Sequence, residues 1–382
     1  MTAKKPPETS NRGPHGEART GDIAATFGAN AVRLTARDWT IAAALVLIAT
    51  IATPAIWKQL ETFEPGPNYR VPYDLTEDYW TYQRAVEKAV DRDRIVVIGD
   101  SVVWGEYVIP QQTLPQHLNE LHGHNRFANG GLNGGHPLAL QGLIAYYADG
   151  INDTRVILHC NLLWMSFKER DLQIDKEMAF NHPRLVSQFS PAIPCYKAPL
   201  DARMGIAIDR VIPFRTWGRH CRIADLDGQD LPGWTLEHPY ANPLSQIRLE
   251  SPPPKSRPHS RPISWTERKI KPQNIPWIDP DTSLQWQAFR ATVDLLQQRG
   301  NRLFVIVGPF NEHMLTEASQ RRYRNIRRQV EDWLRDRAIP HQAPALLPSP
   351  QYADASHPLS AGYAQLAEQV YTNAGFQKWL SD

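Results

Sequence analysis

Four short stretches hold side chains that could do chemistry together. The first is Gly99-Asp100-Ser101-Val102, which follows the apolar run Arg94-Ile-Val-Val-Ile-Gly99. A serine at the C-terminal end of a parallel strand, entering a helix, presents its hydroxyl in the crevice where open α/β sheets bind ligands. The helix start there also favours a developing negative charge. The second is Asp354-Ala-Ser-His357-Pro358. An aspartate three residues before a histidine can accept the Nδ1 proton and leave Nε2 free to take a proton from serine.

The other two stretches lie between these. Asn129-Gly130-Gly131-Leu132-Asn133-Gly134-Gly135 reads as a turn able to bring a backbone N–H against an oxyanion. His159-Cys160-Asn161 places an amide donor at the end of another apolar run. Each has an ordinary alternative role. Asp100 or Ser101 can cap a helix, Asp354 and Ser356 can cap a turn beside an exposed His357, and glycine turns routinely follow strands. In chain order, the four together fit nucleophilic acyl transfer far better than any one does alone.

The elements needed to position them are readable. Residues 94–99, 155–159 and 302–308 are apolar runs expected to be buried strands, with 126–129 a shorter candidate. Residues 77–90, 114–121, 138–148, 284–299, 319–337 and 360–374 read as helices. Short apolar strands alternating with amphipathic helices predict an α/β domain, a three-layer αβα arrangement around a mostly parallel sheet. In the arginine-rich stretch 321–328, Tyr323, Ile326 and Val330 form the stripe expected to be buried, leaving the arginines outside.

Trp39 to Trp57 carry no charged side chain, and nineteen helical residues span about 28 Å, close to a hydrocarbon core. Lys4, Lys5, Arg12, Arg19, Arg33 and Arg37 precede this stretch, whereas only Lys58 follows it closely. The positive-inside bias therefore places the N-terminus in the cytoplasm. Thirty-eight residues ahead of the apolar run, and Pro54, Ile56 and Trp57 at its end, suit an uncleaved anchor better than a cleaved signal. The expected organisation is a disordered cytoplasmic tail over 1–36, an anchor over 37–59, and a periplasmic or extracellular domain over 60–382.

An insertion interrupts the alternation from about 166 to 281. Within it, residues 252–280 are crowded with proline and basic side chains, a composition that excludes a central strand or long helix. It reads either as a solvated insertion on the domain edge or as a lid approaching an anionic glycan or a membrane surface. An oxidising compartment would allow Cys195 and Cys221 to pair, and lone thiols are equally open.

Composition limits the rest. With 42 Lys plus Arg against 40 Asp plus Glu, the chain lacks the basic field of a nucleic-acid binder. Three cysteines in 382 residues exclude a disulfide-dense scaffold. The histidines lack paired ligand spacing, so no metal and no cofactor are expected.

The four stretches resemble the blocks of the SGNH (GDSL-type) hydrolase superfamily. Gly99-Asp100-Ser101 looks like its nucleophile block, Asn129 to Gly134 its glycine block, Asn161 its asparagine block, and Asp354-x-x-His357-Pro358 its Asp/His block. The resemblance covers roughly 92–165 and 284–375. It implies Ser101 as nucleophile, His357 as base and Asp354 as orienting acid. The implied oxyanion donors are the Ser101 N–H, the Gly134 N–H and the Asn161 side chain. The third block usually reads Gly-x-Asn-Asp, whereas His159 and Leu162 stand at its ends here; Val102 replaces a usual leucine. The expected activity is an esterase or deacetylase acting outside the cytoplasm on an acylated small molecule, glycan or lipid. Alternatives are an O-acyltransferase, similar to the tethered domains of alginate O-acetylation systems, and a non-catalytic binding or scaffold protein.

Overall fold

In a computed structural model, the structure describes residues 35–250 and 262–382. The expected tail lies outside the described residues except for its last two positions, and so do Pro252, Pro253, Pro254 and Pro258 of the proline-rich stretch. The chain divides into two units, the first ending at Ala52 and the second running from Thr53 to Asp382.

The first unit contains most of helix α1 (Ala36–Leu60), which continues into the second. At 25 residues and a mean hydropathy of 2.0 over its most apolar window, α1 is long and apolar enough to cross a membrane. Leu45, Val46, Leu47, Ile48 and Ile51 all stand exposed on it.

The second unit is an α/β domain built on five parallel strands in the order β2-β1-β3-β4-β5. They are β1 (Ile95–Gly99), β2 (Phe127–Gly131), β3 (Arg155–Cys160), β4 (Arg302–Val307) and the two-residue β5 (His341–Gln342). Side chains alternate between the two faces of a strand. Val96, Ile98, Val156, Leu158, Leu303 and Val305 thus share one core with helices α2 (Tyr79–Asp91), α5 (Pro137–Tyr147), α9 (Leu284–Gln298) and α10 (Glu317–Asp336). Ile95, Val97, Ile157, Phe304 and Ile306 share the other with α3 (Ser101–Trp104), α4 (Leu114–His122), α11 (Ser360–Tyr371) and α12 (Ala374–Ser381). This is the three-layer arrangement expected.

Details differ from the sequence reading. The glycine run begins inside β2 rather than after it, because α3 packs so close that a Cβ on Gly131 would lie 2.2 Å from the Trp104 nitrogen. The last predicted helix is two, α11 and α12, divided where the Asn373 side chain caps α12. β5 went unpredicted, since two residues carry no period. Among the described residues of 166–281 there are three α-helices, α6 (Leu200–Val211), α7 (Pro213–Asp225) and α8 (Leu231–Glu237). Cys160, Cys195 and Cys221 are buried free thiols, so the open question of a Cys195–Cys221 bridge resolves to no bridge.

Candidate active site

The sheet order sets where a site can form. From β1 the chain winds outward to β2, then returns to place β3 on the other side of β1. The crevice at the C-terminal ends of β1 and β3 is therefore the topological switch point, where open α/β sheets bind ligands. Ser101 follows β1 and Asn161 follows β3 at that edge.

Ser101 is the first residue of α3, a single turn ended by Gly105 at φ 89°. Its N–H belongs to the first helical turn, whose donors lack intrahelical acceptors. Its Oγ lies 2.8 Å from His357 Nε2. His357 Nδ1 is 2.9 Å from both Asp354 Oδ1 and Oδ2. A carboxylate only accepts, so Nδ1 carries the proton and Nε2 offers its lone pair to the serine hydroxyl. The structure thus brings together three residues separated by as many as 256 positions.

Asp354 is held as well as holding. Its Oδ1 accepts the N–H groups of Ser356 and His357, each at 3.0 Å, and Tyr107 donates to Oδ2 at 3.3 Å. Asn311 Nδ2 donates to its carbonyl at 3.1 Å. The turn-capping role and the His-orienting role therefore coincide in one carboxylate, and His357 is not exposed: its side chain keeps 12% of its accessible surface. Burial alone would raise the Asp354 pKa, but the His357 ring and the two N–H groups hold it well below the usual carboxylate range. Burial pushes the His357 pKa down; the Asp354 carboxylate outweighs it and leaves the imidazole above its ordinary value.

Asp100 also does two things. As N-cap of α3 it accepts the Val102 N–H at 3.0 Å, the ordinary role foreseen for it. Its Oδ2 also accepts from Asn161 Nδ2 at 2.7 Å and Trp164 Nε1 at 2.9 Å. His159 Nδ1 lies 3.3 Å from Oδ1, and His159 Nε2 donates to the Gly308 carbonyl at 2.9 Å. Burial would raise the Asp100 pKa, yet the His159 ring and its other partners lower it to about 2. A carboxamide nitrogen carries two hydrogens, so Asn161 can donate one to Asp100 and present the other to a ligand.

Gly134 lies in the turn after β2, where Leu132 C=O accepts the Gly135 N–H at 3.0 Å. Its φ of 69° suits glycine, and a Cβ there would meet Asn181 Nδ2 at 2.7 Å. The Asn133 carbonyl, in the peptide that carries the Gly134 N–H, accepts from His182 Nε2 at 2.8 Å.

His182, Trp164, Tyr107 and Asn311 were not singled out from the sequence. None sits at a spacing that marks it, and each reaches the site only through the fold. His159 did carry a signal, as the residue standing where the resembling block has glycine. Among the described residues, no group of three or more His, Cys, Asp or Glu side chains is arranged to hold a metal ion.

A serine hydroxyl, an imidazole with its lone pair toward it, and a carboxylate behind the imidazole can together generate an alkoxide-like nucleophile. No model of a known protein family matches the chain, and no curated protein matches it either.

Proposed function

We propose that this chain is a serine-dependent acyl ester hydrolase of the SGNH type, acting outside the cytoplasm on an ester carried by a glycan. The observation that carries the reading is the Ser101–His357–Asp354 array, with hydrogen-bond distances of 2.8 and 2.9 Å in one crevice.

Ser101 Oγ attacks the ester carbonyl carbon as His357 Nε2 takes its proton. The oxyanion is held by the Ser101 N–H, the Gly134 N–H and the free hydrogen of Asn161 Nδ2. Collapse breaks the bond to the alcohol, which leaves with the proton from His357. Water, deprotonated by His357, then releases the acid and restores Ser101. A glycan hydroxyl in place of water would make the same acyl-enzyme an O-acyltransferase.

A cleft of about 610 Å³ supports a polar alcohol. Gly134, Asn133 and Glu106 line it together with Asn181, Arg219 and Arg222. The Glu106 N–H donates to the Ser101 carbonyl at 3.1 Å, so one residue of the cleft wall is joined through the backbone to the turn that carries the nucleophile. Carboxylate, carboxamide and guanidinium groups around one space suit a polyhydroxylated ligand, whereas an acyl lipid would want apolar walls. Asn181, Arg219 and Arg222 all come from the 166–281 insertion.

The test is labelling of the full chain by a fluorophosphonate, with hydrolysis of a short aryl ester alongside. The expected result is labelling and turnover in the wild type and neither in Ser101→Ala. Acyl label transferred to an added oligosaccharide, rather than released as free acid, would select the transferase branch. Absence of both labelling and turnover in the wild type would leave the binding or scaffold alternative.

A further inference from the structure

Helix α6 has its amphipathic character turned inside out. Three of its charged residues face the domain, while Asp201 in its first turn is exposed: Arg210 donates from Nε and Nη2 to the Arg184 carbonyl at 2.9 and 2.6 Å, and its guanidinium lies 4.5 Å from the Tyr146 ring centroid. Arg203 lies 5.2 Å from the Phe189 ring, and Asp209 pairs with Arg184 and Arg215 at 2.5 and 3.0 Å. Leu200, Met204, Ile208 and Val211, spaced by four, four and three residues along one stripe, are 69, 46, 41 and 75% exposed. None of the helix's twelve residues is buried. A helix bounded by water does the opposite, burying its apolar stripe and wetting its charges. The outward face of α6 is suited to apolar surroundings.

What surrounds it is indicated by the neighbourhood. After Ile212 the chain enters α7, whose Trp217 packs edge-on against Trp57 of α1, with ring centroids 5.5 Å apart. Farther along the same insertion, the Leu249 carbonyl accepts the Thr62 N–H at 2.7 Å, two residues beyond the end of α1. Leu236, Leu244 and Leu249 on the approach to that contact are 82, 69 and 45% exposed. Trp57 ends the uncharged stretch of α1, the place where a spanning helix meets the membrane–water interface. The insertion is therefore tied at two points to the level at which α1 would leave a bilayer.

We propose that α6 lies flat in the interfacial layer of the membrane that α1 crosses, its Leu200–Met204–Ile208–Val211 stripe in lipid and its arginines clamped to the domain. A spanning helix alone lets a domain swing. A second, monotopic contact fixes which face of the domain, and so which mouth of the crevice, looks along the membrane surface. This rests on α1 as a membrane span and is independent of the hydrolase reading.

The test uses the full chain in nanodiscs made with brominated phospholipid. Because the three native cysteines are buried, a fluorophore can be placed selectively at Met204→Cys, with Arg321→Cys on the exposed outer face of α10 as control. At position 204 we expect a blue-shifted emission, of which about half is lost to bromines about 5–10 Å deep, and no change at 321. Ile208→Glu, at an exposed position, should lower quenching of a label at Val211→Cys without moving the thermal transition. An unquenched label at 204 would overturn the proposal. So would energy transfer between labelled copies that shields position 204 from lipid, which would assign the face to a second chain.

Discussion

His182 Nε2 donates to the carbonyl oxygen of Asn133 at 2.8 Å, and that carbonyl shares its peptide plane with the N–H of Gly134. The peptide is trans, so its C=O and N–H point in opposite directions and fixing one aims the other. Tyr79 donates to His182 Nδ1 at 3.1 Å, which completes the ring's hydrogen bonds. Burial pushes the His182 pKa down, keeping the ring in this neutral tautomer. A residue of the insertion thus sets the aim of a proposed oxyanion donor from behind.

His182→Phe should accordingly lower kcat for an aryl ester by up to about 10²-fold, the scale of one oxyanion donor, with little change in KM. His182→Gln, which can reach the same carbonyl, should recover part of the loss. Equal losses in both variants, tracking a lowered Tm, would show that the ring serves folding only.

The carboxylate of Asp100 makes a second prediction. Asp100→Asn keeps a good N-cap but loses the charge that Asn161 and Trp164 donate to. Hydrogen bonds to a charged group contribute about 1.5–3 kcal/mol, so steady-state assays should show turnover reduced by about 10- to 100-fold. Asn161→Ala should cost about 10²- to 10³-fold in kcat if its second hydrogen faces the oxyanion. Intact turnover in Asn161→Ala would remove that residue from the mechanism.

The dependence on pH follows from His357. As the proposed base it must be neutral, and Asp354 holds its pKa above the ordinary imidazole value. Activity should rise with pH through an inflection above about 6.5. Asp354→Asn should move that inflection downward while lowering the plateau rate. The His357–Asp354 attraction has its own signature in stability. The histidine's share is complete below the unfolded imidazole pKa and is lost as pH rises through its raised folded value.

A buried clamp joins the segment after α1 to α2 and α7. His220 Nδ1 is 2.8 Å from Asp78 Oδ2 and its Nε2 is 2.9 Å from Glu61 Oε1; Trp80 and Arg84 also reach Glu61. Burial would lower the His220 pKa, but Asp78 and Glu61 raise it to about 10. Its contribution is fully present below about 6.5 and is lost as pH rises through about 10. His220→Leu removes the cation between two buried carboxylates, leaving Glu61 with Arg84 and Trp80 and Asp78 with its Thr81 hydrogen bonds. It should cost about 3 kcal/mol, the lower end for breaking a buried pair, read as a lowered Tm at neutral pH.

The linear chain determined what local pattern can carry. β1, β3 and β4 are visible as apolar runs because a strand buried on both faces needs nothing else. Helix α9 is visible because its apolar residues recur at a helical period. Ser101, Asp354 and His357 could be picked out because Asp354 and His357 are neighbours in sequence and Ser101 stands at a strand end.

Tertiary structure decided everything that depends on which elements touch. Asp100 is an N-cap by sequence and a carboxylate holding Asn161 and Trp164 only once β1 and β3 lie side by side. His182 acquires a partner because the insertion folds back over the turn after β2. The reversed face of α6 was unreadable because a periodic stripe reports where apolar residues lie, while only packing decides which side of the helix faces the domain.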